Sequence, residues 1–142
     1  MGREFTVEEI TLTYNALYAL IDAVLAVGDD LVIVTEGTFR SRRQGETLEQ
    51  IALAHGSDFV LVHVRTQEDI QLERLRLRLE NRAGGGPESY FTTKPEYEEP
   101  EGDLFRIENS ADFDALDKSV SSIVEHLAGA ISGRIELMPV VR

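Results

Sequence analysis

An apolar run that ends on a carboxylate is the first place in this sequence where chemistry could occur. Glu36 closes the run LVIVTE, which spans residues 31–36. In open α/β sheets, ligands bind at the carboxyl ends of the strands, so Glu36 is a candidate ligand-binding residue. A carboxylate that only faces solvent before a turn is the alternative.

Arginines gather just after this run, in a chain that is otherwise acidic. Arg40, Arg42 and Arg43 form the densest basic patch, although the formal net charge is −12. A phosphate or an acidic substrate would explain the patch, whereas a solvent-exposed helix start is the alternative. Arg43 is the strongest candidate of the three.

A second group of arginines follows at four-residue steps and so lies on one face of a predicted helix. Its members are Arg74, Arg78 and Arg82, and a glycine-rich segment comes directly after them. This pattern suits the charges of a lid that closes over a ligand. It also suits a solvated stripe that pairs with Glu73 and Glu80.

Composition excludes several other classes of site. The chain has no cysteine, and its three histidines are scattered without ligand spacing, which argues against disulfides, thiol nucleophiles and a transition-metal centre. No apolar run is long enough to span a bilayer, and the acidic N-terminus does not resemble a signal peptide, so we expect a cytoplasmic protein without membrane contact. The negative charge disfavours nucleic acid as a partner.

The elements that would position these residues follow from hydrophobic spacing. Thr6 and Glu9 have the form of a capping box, and the helix that they open is predicted to end at Gly28. The runs at 31–36 and 59–64 are nearly unbroken apolar runs rich in β-branched residues, which predicts central parallel strands. A helix between them, ending at Gly56, makes a strand-helix-strand crossover.

The second half of the chain continues the alternation of helices and strands. The arginine-bearing helix is predicted to be capped at Thr66, and residues 84–102 combine glycine, proline and aromatic residues in a way that predicts a flap. A third strand is expected at 104–108 and a final helix from Ser110. The tail RIELMPVV predicts an edge strand. At 142 residues we expect one domain over 1–142.

In this order the elements resemble the P-loop kinases of the group that includes zeta-toxin-like, gluconate-kinase-like and polynucleotide 5′-kinase domains. Glu36, Gly37 and Thr38 match the acidic residue, small residue and threonine that end a strand, although aspartate is usual at the first position. The pair Arg42 and Arg43 matches a basic pair that opens the next helix. Arg74, Leu75 and Arg78 match the R-L-x-x-R segment that begins the lid, and SYFTTKPEYEEP is similar to the flap.

This resemblance implies a three-layer α/β fold with a mainly parallel sheet of P-loop NTPase type. It implies catalytic roles for Glu36 and Thr38, with Glu36 contacting Mg²⁺ through water or accepting a proton from the substrate hydroxyl. Arg42 and Arg43 would bind substrate, and the lid arginines at 74, 78 and 82 would bind nucleotide. ATP and Mg²⁺ are the implied cofactors.

The phosphate-binding loop of that family is missing from the sequence. The string G-x-x-x-x-G-K-[ST] occurs nowhere in the 142 residues, and in the family it follows a strand that lies between those matched by 31–36 and 59–64. Three explanations stay open: truncation of a longer kinase, docking with a separate chain that carries the loop, or direct pairing of the two strands in a degenerate domain.

The sequence therefore predicts an ATP-dependent kinase-like domain or fragment, inactive or weakly nucleotide-binding without its loop. Its phosphoryl acceptor would be a small hydroxylated metabolite or a nucleic-acid 5′ end, and the acidic charge favours the metabolite. The rival hypothesis is a non-catalytic interaction module, in which an exposed sheet edge binds a partner chain or a second copy.

Overall fold

A computed structural model describes residues 6–28, 31–81, 86–110 and 112–137. The elements in chain order are α1 (Val7–Leu25), α2 (Arg42–Ala54), β1 (Val62–Arg65), α3 (Glu68–Glu80), α4 (Pro87–Thr93), a 3₁₀ helix (Lys94–Glu96), β2 (Phe105–Glu108) and α5 (Phe113–Leu137). The contacts divide the chain into two compact units, Met1–Leu61 with Leu72–Leu104 and Val62–Gln71 with Phe105–Arg142. One domain over 1–142 stays a prediction.

The first unit is built on the packing of helices α1 and α2. The capping box of α1 is confirmed: the Glu9 amide donates to Thr6 Oγ1 at 3.2 Å, and the Thr6 amide donates to the Glu9 carboxylate at 2.9 Å. Among the described residues of this unit, the buried apolar side chains are Ile21 of α1 and Leu48 and Ala52 of α2. Helices α1 and α2 therefore bury apolar side chains where they pack together.

Helix α2 ends as its glycine predicted. Gly56 has a φ of 67°, in the left-handed region that favours glycine. The Ser57 amide donates to the Ala52 carbonyl at 2.9 Å, and the Gly56 amide donates to the Leu53 carbonyl at 3.0 Å. This pair of bonds is a Schellman motif, which satisfies carbonyls at the helix end.

The second unit contains a sheet of two parallel strands. Strand β1 pairs with β2 in the register Val62 to Phe105 through Arg65 to Glu108. Helix α5 packs on β2, and the buried apolar residues among those described in this unit are Ile107 and Ile123. The chain is thus α/β with a parallel sheet, as predicted; this is compatible with a P-loop NTPase fold without showing it.

The segment predicted as the first central strand is not a strand. Residues 31–40 have no regular secondary structure, and Leu31, Val32 and Val34 are 55%, 73% and 86% exposed. Strand backbone needs neighbouring strands to satisfy its N–H and C=O groups, and hydrophobicity alone supplies none. The predicted crossover from 31–36 through α2 is therefore wrong.

Three boundaries also differ from prediction. The strand expected at 59–64 is confined to Val62–Arg65. Helix α5 begins later than Ser110, because the Asp112 carboxylate accepts the Ala115 amide at 3.0 Å and caps it. Residues 134–137, expected in an edge strand, belong to α5, since apolar residues continue at four-residue spacing; residues 138–141 of that tail lie outside the described residues.

Some large apolar side chains of the helices are exposed. Leu79 of α3 is 51% exposed, and in α5 Phe113 is 69% and Val120 is 43% exposed. The flap expected at 84–102 includes helix α4, which begins at Pro87, a residue suited to a first helical turn. Within the described ranges, no helix combines the length and the apolar character that crossing a bilayer requires.

Replacing Gly56 with alanine should lower the free energy of unfolding by about 1 kcal/mol, because a side chain disfavours the left-handed backbone. Gly45→Ala is the matched control, since Gly45 lies inside α2 and no atom lies within 4 Å of the place that an added methyl group would take. That change should stabilise the protein by roughly 0.5–1 kcal/mol. Urea denaturation measures both, and equal midpoints for the two variants would contradict the assignment of the helix end.

Candidate functional site

Glu36 and Thr38 lie in the irregular segment between helices α1 and α2, and both are exposed. Helix α1 fixes the end of this segment: the Phe39 amide donates to the Tyr14 hydroxyl at 3.0 Å, and the two rings meet edge to face at 5.4 Å. Phe39 has a φ of 38°, a backbone region that non-glycine residues adopt infrequently. Tyr14 thus positions the residues directly after Thr38.

The described residues do not form a magnesium site by themselves. No group of three His, Cys, Asp or Glu side chains that could hold a metal occurs among them. Mg²⁺ in nucleotide sites is held by one or two carboxylates together with substrate phosphates and water. Glu36 alone would supply one ligand, so no chemical step is assigned to a metal here.

The basic patch lies at the start of helix α2, where the resemblance places it. Arg42 and Arg43 are the first two residues of the helix. The Gln44 side-chain oxygen accepts the Ser41 amide at 3.2 Å, which fixes the entry of the chain into the helix. The N-terminal end of a helix attracts anions, and two guanidinium groups there add to that attraction.

An acidic segment occupies this position. We name residues 96–101, with the sequence EYEEPE, the acidic strap. The backbone amide of Arg42 donates to the Glu98 carboxylate at 2.9 Å, and Arg42 Nε donates to the Glu99 carbonyl at 2.8 Å. A guanidinium nitrogen of Arg42 lies 2.8 Å from the Glu101 carboxylate. Arg42 is therefore bound at its backbone and at its side chain.

Arg40 joins the same contact from the preceding residues. Its carbonyl accepts the Glu98 amide at 2.8 Å, and its guanidinium lies 3.6 Å from the Glu96 carboxylate. These ion pairs face solvent: the Arg42 and Glu101 side chains are 43% and 73% exposed. Exposed pairs of this kind contribute about 0–1 kcal/mol each. The strap is thus held by several weak contacts.

The side chain of Arg43 is exposed and lies near Tyr18. The Tyr18 hydroxyl donates to the Gln44 carbonyl at 3.3 Å. Burial raises the pKa of Tyr18 above its usual value, and Tyr14 raises it further, although Thr47 and Arg43 act in the opposite direction. The phenol of Tyr18 therefore stays protonated, as a donor, at neutral pH.

The predicted lid arginines lie on helix α3. Arg74 is half-buried and Arg78 is exposed in the last turn, whereas Arg82 lies outside the described residues. The ion pair seen on this helix joins Arg76 to Glu73 at 3.6 Å. The roles assigned to the predicted site residues stay predictions.

The acidic strap is the part of the site that the sequence did not reveal. Glu98 and Glu99 both contact Arg42, but they lie 56 and 57 positions from it in the sequence. The sequence did contain one indication of this contact, namely an acidic run in a chain with one dense basic patch. Opposite charge alone does not select one acidic run among many in a chain with 26 Asp and Glu residues.

Comparison with known proteins gave no relative from which a role could be transferred. No protein-family model, no curated protein and no solved structure matches this chain. The resemblance to P-loop kinases accordingly depends on the quoted residues.

Replacing Tyr14 with phenylalanine should speed hydrogen exchange at the Phe39 amide, because the substitution removes the hydroxyl that accepts its proton and keeps the ring. The free energy of unfolding should fall by about 1 kcal/mol. Tyr18→Phe is the control, since its hydroxyl binds Gln44 instead. Equal Phe39 exchange in the two variants would show that Tyr14 does not position this segment.

Proposed function

We propose that this chain is the substrate-binding part of a P-loop-kinase-like phosphotransferase, and that an additional strand carrying the phosphate-binding loop completes it. One observation carries the proposal. The strand-like segment before Glu36 is exposed and belongs to no strand, while the described sheet has only two members. If a central strand is missing from a parallel sheet, the segment that would pair with it has no partner and stays exposed, as this segment does.

Energetics support an additional strand. Parallel sheets are normally covered on both faces, and sheets of two strands have little stability of their own. Among the described residues, the buried apolar side chains are Ile21, Leu48, Ala52, Ile107 and Ile123. Adding a strand beside Leu31–Val34 would bury side chains that are now in water, each contributing about 1.5–3 kcal/mol when fully buried.

The chemistry of the remaining residues suits the acceptor side of phosphoryl transfer. Kinases act mainly by positioning the reactants and neutralising charge. Arg42 and Arg43 would hold an anionic substrate at the start of α2, and Glu36, with Thr38, would face the reacting hydroxyl. Arg74, Arg78 and Arg82 would contact the nucleotide. A small hydroxylated metabolite is the acceptor class that the acidic charge favours.

The test is a fusion that places a strand and a G-x-x-x-x-G-K-[ST] loop ahead of residue 1. Calorimetry with ATP and Mg²⁺, in phosphate-free buffer, should detect affinity at the micromolar level for the fusion and only millimolar affinity for the chain alone. A loop Lys→Ala version is the control. A folded fusion that binds ATP no better than this control would overturn the proposal.

The same fusion tests the lid. Arg78→Ala should weaken ATP binding, because a cation would be lost from the nucleotide phosphates, whereas Arg76→Ala, on the same helix, should not. Equal affinities of the two variants would remove Arg78 from the nucleotide site.

A second candidate function is an interaction module that binds another chain, and the exposure of Leu31–Val34 favours it. Exposed apolar segments with strand propensity add to the sheets of partners. In this case the chain itself should dimerise in a concentration-dependent way, and Val32→Lys should abolish the dimer. Leu53→Lys, at another exposed apolar position, is the control. Sedimentation that shows only monomer at all concentrations would contradict self-association.

A further inference from the structure

The acidic strap reproduces the interactions that an anionic ligand would make at the start of helix α2. The Glu98 carboxylate accepts a backbone N–H of the first helical residue, and the Glu101 carboxylate lies against the guanidinium of that same residue, Arg42. A phosphate group uses these two kinds of donor when it binds at a helix N-terminus. Strap and phosphate would therefore need the same groups.

We propose that the acidic strap is an internal competitor that covers Arg42 and Arg40 until a phosphate-bearing ligand displaces it. This inference rests on the proposed function, because it takes Arg42 as the residue that binds the anionic substrate. It adds regulation: in the absence of ligand, the strap would neutralise Arg42, one of the two proposed substrate arginines.

Electrostatics allow a phosphate to compete with each carboxylate of the strap. The ion pairs of the strap are solvent-exposed, and such pairs are weak and screened by salt. A phosphate monoester carries a charge of about −1.5 to −2 at neutral pH and three strong acceptor oxygens, whereas each strap carboxylate carries one negative charge. The ligand thus binds the arginines more strongly than any single glutamate does.

The chain around the strap permits its release. Gly102, which follows the strap directly, has a φ of 94°, and apart from its two chain neighbours no described residue lies within 4 Å of the position of an added methyl group. Glycine adopts many backbone conformations, so this residue can act as a hinge. On release, the hydrogen bond from the Glu98 amide to the Arg40 carbonyl would break, which provides a specific signal.

The experiment titrates the full chain with inorganic phosphate and follows the Arg42 and Glu98 amides by NMR. The double variant Glu98→Gln with Glu101→Gln should bind phosphate about threefold to tenfold more tightly than the unmodified chain, since both side chains keep an acceptor oxygen but lose the negative charge that strengthens their contacts with Arg42. Glu46→Gln with Glu49→Gln is the matched control, because it removes the same charge from exposed positions on helix α2. Arg42→Gln should remove binding.

Hydrogen exchange gives a second readout on the unmodified chain. Phosphate should speed exchange at the Glu98 amide, because that amide loses its bond to Arg40. Phosphate binding that leaves this exchange unchanged would overturn the inference.

The remaining outcomes separate this inference from the proposed function. If the strap variant and its control bind phosphate equally at Arg42, the strap is no competitor, while Arg42 keeps its role as an anion-binding residue. If no variant binds phosphate at millimolar concentration, the inference fails together with the substrate role of Arg42. If the strap variant binds phosphate more tightly than its control but the fusion does not bind ATP, only the nucleotide part of the proposed function fails.

Discussion

The packing of helix α1 on the segment from Phe39 to His55 determines where the charged groups of the first unit lie. Three residues of α1, spaced four positions apart, make hydrogen bonds to this segment, and a fourth is buried. The Tyr14 hydroxyl accepts the Phe39 amide, and the Tyr18 hydroxyl donates to the Gln44 carbonyl. Asp22 Oδ1 lies 2.8 Å from His55 Nε2, and Ile21 is buried. Because α1 holds both the start and the end of this segment, it fixes the direction in which the first turn of α2 presents Arg42.

Backbone hydrogen bonding determines which other segments form regular secondary structure. Helices satisfy their own backbone groups, so α1, α2 and α5 form from local sequence and need only one packed face. Strands need neighbours, and within the described residues only β1 and β2 pair. This difference explains why a chain with strand-like runs at 31–36 and 59–64 is mostly helical.

Sequence was a good guide where the determining interactions are local. The capping box at Thr6 and the helix end at Gly56 each depend on residues a few positions apart, and both predictions were correct. The run at 31–36 was wrongly predicted to be a strand. Its hydrophobicity indicates that it could form a strand, but it does not indicate whether a partner strand is present. The contact between Arg42 and the acidic strap joins residues more than fifty positions apart, and no periodic pattern marks it.

The exposed segment Leu31–Val34 also affects how the protein behaves at high concentration. Short apolar, β-branched stretches without charge can stack into intermolecular sheets, and charged neighbours oppose this stacking. In the sequence, Asp29 and Asp30 precede the stretch, and Glu36 follows it closely. Stacking copies in register would bring these like charges together at every layer. Glu36 therefore occupies the position of a gatekeeper residue, at which a negative charge opposes such stacking.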